Sequence, residues 1–264
     1  FHNINHKKNK SQYMNNNIDK KVKVVVPLYR EFLDKDEESS LMHNTQILCN
    51  YHHTFIIPQD LNCEFLNKYL TSNLKYNIIK VSDEWLGQKN GIMGYNRMCL
   101  STDFYRLFID TDYILICQTD AWVFRDELEE WCCKDYDYIG GIWWRKGFWS
   151  LPFFRIFFPK NRKLYGKVGN GGFSLRRVES HLRETERLKK RIDYYLSKKH
   201  HMYSEDIFWA VEPKSFKYPD MVTATKFAFD NHPDRCWNLI NKLPFACHGW
   251  TKPNRRKFWE QYIP

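Results

Sequence analysis

The stretch that decides the fold is Tyr113–Phe124, which reads YILICQTDAWVF. Its first five residues, Tyr113–Cys117, form an apolar run of the kind that becomes a strand buried on both faces, as in parallel sheets. Asp120 is the first carboxylate after this run. Since ligands bind at the carboxyl ends of strands in open α/β sheets, Asp120 is a candidate for a metal or ligand site. The alternative interpretation is that Asp120 caps a turn ahead of a helix that begins near Asp126.

Three runs upstream also predict buried strands, at Val22–Pro27, Thr54–Pro58 and Asn77–Val81. Polar residues follow them, among them Tyr29 after the first run and Asp83 after the third. The alternation of such strands with helices predicts an α/β fold with a Rossmann-like, mostly parallel mixed sheet flanked by helices.

A literal D-x-D sequence, Asp110-Thr-Asp112, precedes the apolar run instead of following it. It is therefore expected at the opposite end of the sheet from a ligand site, and Asp120 is preferred to either of its carboxylates.

Two other segments receive predictions that bear on the site. A helix is predicted over Tyr95–Phe108, with Asn96 and Arg97 at its start, where free N–H groups suit an anionic or uracil-like ligand. The alternative for these two residues is a solvated first turn. The run Val222–Phe229 predicts a further strand.

The composition of the chain indicates which kinds of partner the protein can bind and which kinds of site and location it favours. The 264 residues carry a net charge of +10, and 17% of them are aromatic. The charge favours an anionic partner, and the aromatic content is high enough to line a binding groove as well as a core. Eight cysteines without a C-x-x-C pair argue against a zinc cluster and favour reduced thiols in a cytosolic protein. No apolar stretch approaches the 18 residues that a membrane-spanning helix requires.

The segment Trp143–Lys163 mixes large aromatic residues with cations and two prolines. Three interpretations remain open for it: a lid over an active site, a membrane-surface or lipid-contact patch, or a packed excursion of the chain. Residues 1–21, which are rich in Asn and Lys, are expected to be flexible. The chain begins with Phe1 and not with Met, which leaves room for an upstream anchor or domain.

Three later motifs carry candidate chemistry. Glycines in Gly169–Gly172 allow a backbone to approach a ligand closely. Ser204 is a good N-cap, so Glu205 and Asp206 fall in the first turn of a helix, where they serve either the helix dipole or general-base catalysis. His248 follows an apolar run and is either a structural histidine or a metal ligand together with the strand-end carboxylate.

Six segments together resemble a bacterial family of GT-A-like glycosyltransferases, a family of unknown function associated with surface-polysaccharide genes. These segments read VVVPLYR, GYNRMCLS, QTD, GNGGFSLR, SEDIFW and PFACHGW, and the resemblance extends from about Val22 to Trp259. It implies one GT-A-like domain over residues 22–264, with a nucleotide-binding half at about 22–125 and an acceptor half at about 126–264. It also implies an enzyme that moves a sugar from a nucleotide-diphospho-sugar to a hydroxyl of a glycan or lipid-linked glycan.

The resemblance assigns roles to individual residues. Donor or nucleotide binding is implied for Pro27, Tyr29, Asp83, Asn96, Arg97, Gln118 and Asp120. Contact with the acceptor or the donor sugar is implied for Trp122, Asn170, Gly171, Gly172 and Trp250. Asp206 would be the general base and Glu205 would orient the acceptor, while Asp120 and His248 would hold Mn²⁺ or Mg²⁺.

One residue departs from the pattern of the family. Gln118 stands where the first acid of the metal motif is expected, and a neutral amide is a poorer ligand for a hard cation than a carboxylate. Metal binding is therefore expected to be weak in the absence of donor. The alternative is catalysis without a metal, in which basic residues neutralise the leaving diphosphate. The implied mechanism is a single inverting displacement, while a retaining mechanism would not need Asp206 as base.

The expected location is cytoplasmic, peripheral at the inner membrane face if Trp143–Lys163 contacts lipid. Two other classes of function compete with the enzyme. One is a carbohydrate- or nucleotide-sugar-binding module that has lost catalysis, which Gln118 would explain. The other is a nucleic-acid-binding protein, which is disfavoured because the basic residues are spread along the chain without a known motif.

Overall fold

A six-stranded sheet forms the centre of the computed structural model, which describes residues 21–87, 89–144 and 164–264. Its strands are β1 (Val22–Pro27), β2 (His52–Pro58), β3 (Tyr76–Val81), β4 (Tyr113–Cys117), β6 (Tyr138–Gly140) and β7 (Phe173–Arg177). The order across the sheet is β3-β2-β1-β4-β7-β6. The first four of these strands run parallel, and β7 is antiparallel to both of its neighbours. The predicted mostly parallel mixed sheet is confirmed.

A second, three-stranded sheet extends the molecule at the carboxyl end of β4. It contains β5 (Ala121–Val123), β8 (Ala228–Phe229) and β9 (Ala246–His248), with β9 in the middle. Ala121 is paired with His248 across β5 and β9. This register brings the end of the chain beside the residues that follow β4.

Ten α-helices are described in the same ranges. They are α1 (Lys35–Ile47), α2 (Gly91–Cys99), α3 (Thr102–Arg106), α4 (Leu128–Cys133), α5 (Val178–Arg187), α6 (Lys189–Leu196), α7 (Glu205–Val211), α8 (Met221–Phe227), α9 (Pro233–Ile240) and α10 (Pro253–Trp259). Short 3₁₀ helices lie at Glu64–Lys68 and His201–Tyr203. In the described ranges, no helix is long and apolar enough to cross a membrane.

The core occupies both faces of the large sheet because successive side chains of a strand point to opposite faces. Leu115 packs in one apolar cluster, and its neighbours Ile114 and Ile116 pack in another. All three are fully buried. Burial on both faces is the reason that this strand reads as a continuous apolar run.

The D-x-D carboxylates lie at the amino end of β4. Val22 is paired with Tyr113 at the start of β1 and β4, so Asp112 precedes the ladder. Asp112 accepts a hydrogen bond from the backbone N–H of Lys21 at 2.8 Å, and Asp110 pairs with Lys23 at 2.7 Å. Both carboxylates are therefore remote from the carboxyl edge where β4 ends.

The strand predicted over Val222–Phe229 is wrong for most of its length. Met221–Phe227 is helix α8, and only Ala228–Phe229 is strand. The Asp220 side chain accepts a hydrogen bond from the backbone N–H of Thr223 at 2.7 Å and thereby caps the helix. This cap and tertiary packing outweigh the β propensity of the run.

The single helix predicted over Tyr95–Phe108 is also corrected, because two helices meet there. Helix α2 begins at Gly91 and ends at Cys99, and α3 begins at Thr102. Ser101 breaks the run by capping α3 through the backbone N–H of Asp103. Asn96 and Arg97 consequently lie inside α2 and not at its N-terminus.

Candidate active site

A cavity of about 1000 Å³ opens at the carboxyl ends of β1 and β4. Its walls come from both sheets, from the start of α7 and from the loop that precedes β7. The residues with predicted roles that line it are Pro27, Tyr29, Asn96, Gln118, Asp120, Asn170, Gly171, Gly172, Glu205, Asp206 and His248.

One wall of the cavity is a histidine cluster, which consists of Asp120, Asp230, His248 and Arg255. His248 Nε2 lies 3.0 Å from Asp120 Oδ1, and His248 Nδ1 lies 3.2 Å from Asp230 Oδ1. Arg255 Nη1 donates to Asp230 Oδ1 at 2.8 Å and to the carbonyl oxygen of His248 at 2.9 Å. Both nitrogens of the His248 ring therefore face carboxylates.

Charge within the histidine cluster shifts three pKa values. Burial alone would lower the pKa of His248, but Asp120 and Asp230 raise it to about 9. Burial alone would raise the pKa of Asp120, but the charge of His248 and its hydrogen bond lower it to about 2. The pKa of Asp230 is likewise held below its usual range, against the effect of burial, by His248 and Arg255. At neutral pH the cluster is an imidazolium held between two carboxylates.

Gln118 joins this cluster from the end of β4. Its Oε1 lies 3.3 Å from His248 Nε2. A Cβ added at Gly172 would lie 2.0 Å from His248 Nε2 and 2.5 Å from Gln118 Oε1. Glycine is therefore required at this position, because any side chain would push the two polar groups apart.

The chemistry of this donor set fits a divalent cation. A carboxylate oxygen, an amide oxygen and an imidazole nitrogen converge in one place, and these are ligand types that Mn²⁺ accepts, provided that the cation displaces the proton from His248 Nε2. In a metal-binding histidine the second ring nitrogen usually donates to a carboxylate, and Asp230 has that position. Among the described residues, no group of three or more His, Cys, Asp or Glu side chains is arranged to hold a metal. Further ligands from outside this cluster would have to complete the coordination.

The loop Gly169–Gly172 crosses the floor of the cavity. Asn170 has a φ of 95°, and its side-chain oxygen accepts a hydrogen bond from the backbone N–H of Gly172 at 3.1 Å. A Cβ added at Gly171 would lie 1.7 Å from Glu205 Oε1. The glycines predicted to allow close approach thus accommodate the protein's own polar side chains.

Glu205 forms a buried arginine–glutamate pair with Arg176. Arg176 Nη2 donates to Glu205 Oε1 at 3.1 Å, and both side chains are within 2% of full burial. The other two guanidinium nitrogens of Arg176, Nη1 and Nε, donate to the hydroxyl groups of Tyr105 and Ser174. Burial raises the pKa of Glu205 to about 7, even though Arg176 acts to lower it. Asn96 supports the pair, because its side-chain oxygen accepts a hydrogen bond from the Glu205 N–H at 3.1 Å.

Asp206 follows Glu205 and is half-buried in the same cavity. Its Oδ1 atom accepts hydrogen bonds from the Ser204 hydroxyl and from the backbone N–H of Ile207. Burial raises the pKa of Asp206 above its ordinary value. A carboxylate with one oxygen fixed and a raised pKa has the properties of a general base.

Four residues with predicted roles do not line the cavity. Trp122 is buried and stacks on His43 with ring centroids 3.9 Å apart. Trp250 packs edge-on against Trp122 and donates to Ser40 Oγ at 2.9 Å. The structure therefore places both tryptophans in the core beneath the small sheet. Two further residues, Asp83 and Arg97, are exposed outside the cavity.

Several cavity residues were absent from the sequence prediction. Asp230 was missed although it follows β8 as Asp120 follows β4, because only the pairing of β8 with β9 brings it beside His248. Lys252 is the N-cap residue of α10, and its charge helps to lower the pKa of both Asp120 and Asp230. Lys199, His200 and His201 also line the cavity.

Solved structures of other proteins share this fold. Two solved structures of the galactosyltransferase LgtC, one with donor and acceptor sugar analogues and one an active-site mutant, superpose on this chain. Each is 13% identical, covers 90% of this chain and 94% of that chain, and has a TM-score of 0.56. Core-mannan synthase A from Aspergillus fumigatus, in an Mn/GDP form, is 11% identical, covers 72% of this chain and 68% of that chain, and has a TM-score of 0.48, which is too low to support an argument. The LgtC likeness confirms the predicted GT-A-like fold.

Residues 75–248 match the family described as "Protein of unknown function (DUF5672)", and the chain belongs to that family. No curated protein matches the sequence. The predicted bacterial origin and the link to surface-polysaccharide genes stay predictions.

Proposed function

We propose that this protein is a glycosyltransferase that moves a sugar from a nucleotide-diphospho-sugar to a hydroxyl of a glycan or lipid-linked glycan. The observation that carries the proposal is the convergence of Gln118, Asp120 and His248 at the carboxyl edge of β4, in one cavity with Glu205 and Asp206. Ligands of open α/β sheets bind at this edge.

The nucleotide would bind where Pro27 and Tyr29 line the cavity after β1. Tyr29 is 47% exposed, so its ring has a face available for a base. Asp120, Gln118 and His248 would hold Mn²⁺ or Mg²⁺ together with the diphosphate. When bound there, such a cation would stabilise the negative charge that develops on the leaving diphosphate. The Lys252 ammonium would add to this stabilisation from the protein itself.

Asp206 would take the proton from the acceptor hydroxyl as that oxygen attacks the anomeric carbon from the face opposite the diphosphate. The Ser204 hydroxyl and the Ile207 N–H hold one oxygen of this carboxylate, which leaves the other for the acceptor. Glu205 would orient the acceptor from a position fixed by Arg176. A single displacement of this kind inverts the anomeric configuration.

The first experiment is a thermal-shift panel of UDP-, GDP-, dTDP- and CMP-sugars, each with and without Mn²⁺. A ligand that binds only the folded state raises the melting temperature by mass action. We expect one nucleotide class to give a shift that Mn²⁺ enhances. A shift without Mn²⁺ dependence would contradict the roles of Asp120 and His248, and binding without turnover would favour an inactive nucleotide-sugar-binding module.

The second experiment tests the base. Asp206→Asn should lower kcat by roughly 10²- to 10⁴-fold, which is the usual contribution of a general base. Asp193→Asn is the matched control, since Asp193 pairs with Lys189 on the exposed surface. Near-wild-type turnover of Asp206→Asn, or a product of retained configuration by NMR, would rule out this assignment.

A further inference from the structure

The indole of Trp143 lies against Gly169 in the wall of the cavity. A Cβ added at Gly169 would come within 2.2 Å of two ring carbons of Trp143. Glycine at this position is therefore what allows the ring to lie flat on the backbone.

Backbone hydrogen bonds fix the segment that carries Trp143. Its N–H donates to the carbonyl oxygen of Lys167 at 3.2 Å, and its carbonyl oxygen accepts from the N–H of Gly166 at 3.0 Å. On the other side, the Gly169 N–H donates to the carbonyl oxygen of Gly141 at 2.8 Å. An aromatic ring held in this way loses little conformational entropy when a ligand packs on it.

The loop Gly169–Gly172 gives the position of this ring relative to the rest of the site. Gly169 lies against Trp143, Gly171 against Glu205, and Gly172 against His248 and Gln118. Three residues span at most about 10 Å of chain. Along the cavity floor, Glu205 therefore lies between the metal-binding residues and Trp143.

We infer that Trp143 forms the apolar wall of the subsite that binds the acceptor sugar, an inference that rests on the proposed function. With the diphosphate at the histidine cluster, the transferred sugar and the acceptor hydroxyl meet beside Glu205 and Asp206, and the ring of the acceptor sugar packs on the indole. A pyranose ring presents a face of C–H groups, which packs on a flat aromatic ring while its hydroxyls hydrogen-bond to polar neighbours. Asn170 and Ser204 line the same cavity and can provide such groups.

The adjacent Trp144 differs from Trp143 in one respect. Both rings are half-buried and pack against the same apolar cluster, but of the two only Trp143 also lines the cavity. Trp144 instead turns its Nε1 to the Cys236 thiol, to which it donates at 3.0 Å.

The test compares Trp143→Leu, Trp143→Phe and Gly169→Ala with the wild type. Each is assayed with the donor that the thermal-shift panel identifies and with methyl glycosides of glucose, galactose, mannose and N-acetylglucosamine as acceptors. Trp143→Leu should raise the acceptor KM roughly tenfold, the size of effect expected from losing an aromatic stacking contact, with the donor KM as the internal reference. Trp143→Phe should recover most of this loss. Gly169→Ala should raise the acceptor KM in the same way although the tryptophan itself is kept, because the added methyl group displaces the indole of Trp143.

Two results would overturn the inference. One is an equal rise of donor and acceptor KM in Trp143→Leu, which would place the ring at the donor. The other is an acceptor KM that none of the three variants changes. In both cases the proposed transferase function stands, whereas a wild type that neither binds nor hydrolyses any donor removes both.

Discussion

Two charged groups lie side by side on the floor of the cavity: in the histidine cluster an imidazolium lies between two carboxylates, whereas in the arginine–glutamate pair one carboxylate faces one guanidinium. In the histidine cluster, His248 is charged because Asp120 and Asp230 raise its pKa to about 9. In the arginine–glutamate pair, burial raises the pKa of Glu205 to about 7 although Arg176 lies beside it. Both sites combine buried carboxylates with cations, yet the pKa values of Asp120 and Asp230 are lowered whereas the pKa of Glu205 is raised.

The difference lies in how many cations each carboxylate meets. Asp230 contacts both His248 and Arg255, and Lys252 adds a further positive charge. Glu205 meets Arg176 alone, and that guanidinium also donates to Tyr105 and Ser174. The histidine cluster is thus fully ionised and suited to binding charged groups, while Glu205 lies close to its own titration at neutral pH.

The largest expected effect breaks the arginine–glutamate pair. Arg176→Met leaves the buried Glu205 without its cation, and breaking a buried ion pair in this way costs about 3–5 kcal/mol of the free energy of unfolding. Urea denaturation in mildly alkaline buffer, where Glu205 is ionised, measures this loss. The double variant Arg176→Met/Glu205→Gln should recover much of it.

The matched control for that prediction is Arg106→Met. Arg106 forms its ion pairs at the surface, with 57% of its side chain exposed. Exposed pairs contribute little, so the loss should be far smaller. Equal losses in the two variants would show that burial does not distinguish the arginine–glutamate pair.

A smaller effect is expected at the histidine cluster. Asp230→Asn removes the charge that holds His248 Nδ1, and loss of such a partner weakens metal affinity by about 10- to 100-fold. Calorimetric titration of Mn²⁺ in the presence of the nucleoside diphosphate identified by the thermal-shift panel measures this change. Asp110→Asn, at the opposite edge of the sheet, is the control. The same Mn²⁺ affinity in both variants would contradict the role of Asp230.

The last effect is a dependence of stability on pH that comes from Glu205. Its pKa is about 7 in the folded protein against an ordinary value of 4.5, so between these pH values the folded state keeps a proton that the unfolded state has released. The free energy of unfolding contributed by Glu205 therefore falls as the pH rises through this window and is constant above it. Glu205→Gln should remove this decline.

Melting temperatures of wild type and Glu205→Gln, measured across the same buffers, give the comparison as a difference curve. A wild-type advantage that shrinks with rising pH supports the shifted pKa. A flat difference curve would mean that Glu205 titrates normally and that its pKa does not distinguish the arginine–glutamate pair from the histidine cluster.

The sequence predicted the parts of the fold and site that depend on local pattern. Buried strands such as Tyr113–Cys117 read as continuous apolar runs, and a carboxylate at the end of such a strand marks the edge where ligands bind. Gly171 and Gly172 were also recognisable, because glycines beside a polar residue indicate close approach.

The parts that the sequence did not predict depend on contacts between distant residues. Asp230 and Lys252 enter the site only through the pairing of β8, β9 and β5. Trp122 and Trp250 resemble groove aromatics in sequence, but they pack on one another in the core. Helix α8 resembles a strand because its β-branched residues outweigh a single capping aspartate in any local pattern.

The pairing of Gln118 with His248 has a consequence for how the protein folds. These residues are 130 positions apart, yet they hydrogen-bond in the finished molecule. Closing so long a loop is slow relative to local helix formation, although its entropic cost grows only with the logarithm of its length. A nascent chain therefore cannot complete this wall of the cavity until β9 has been synthesised and inserted. Ligands that bind this site will stabilise the complete topology and will leave partly folded intermediates untouched.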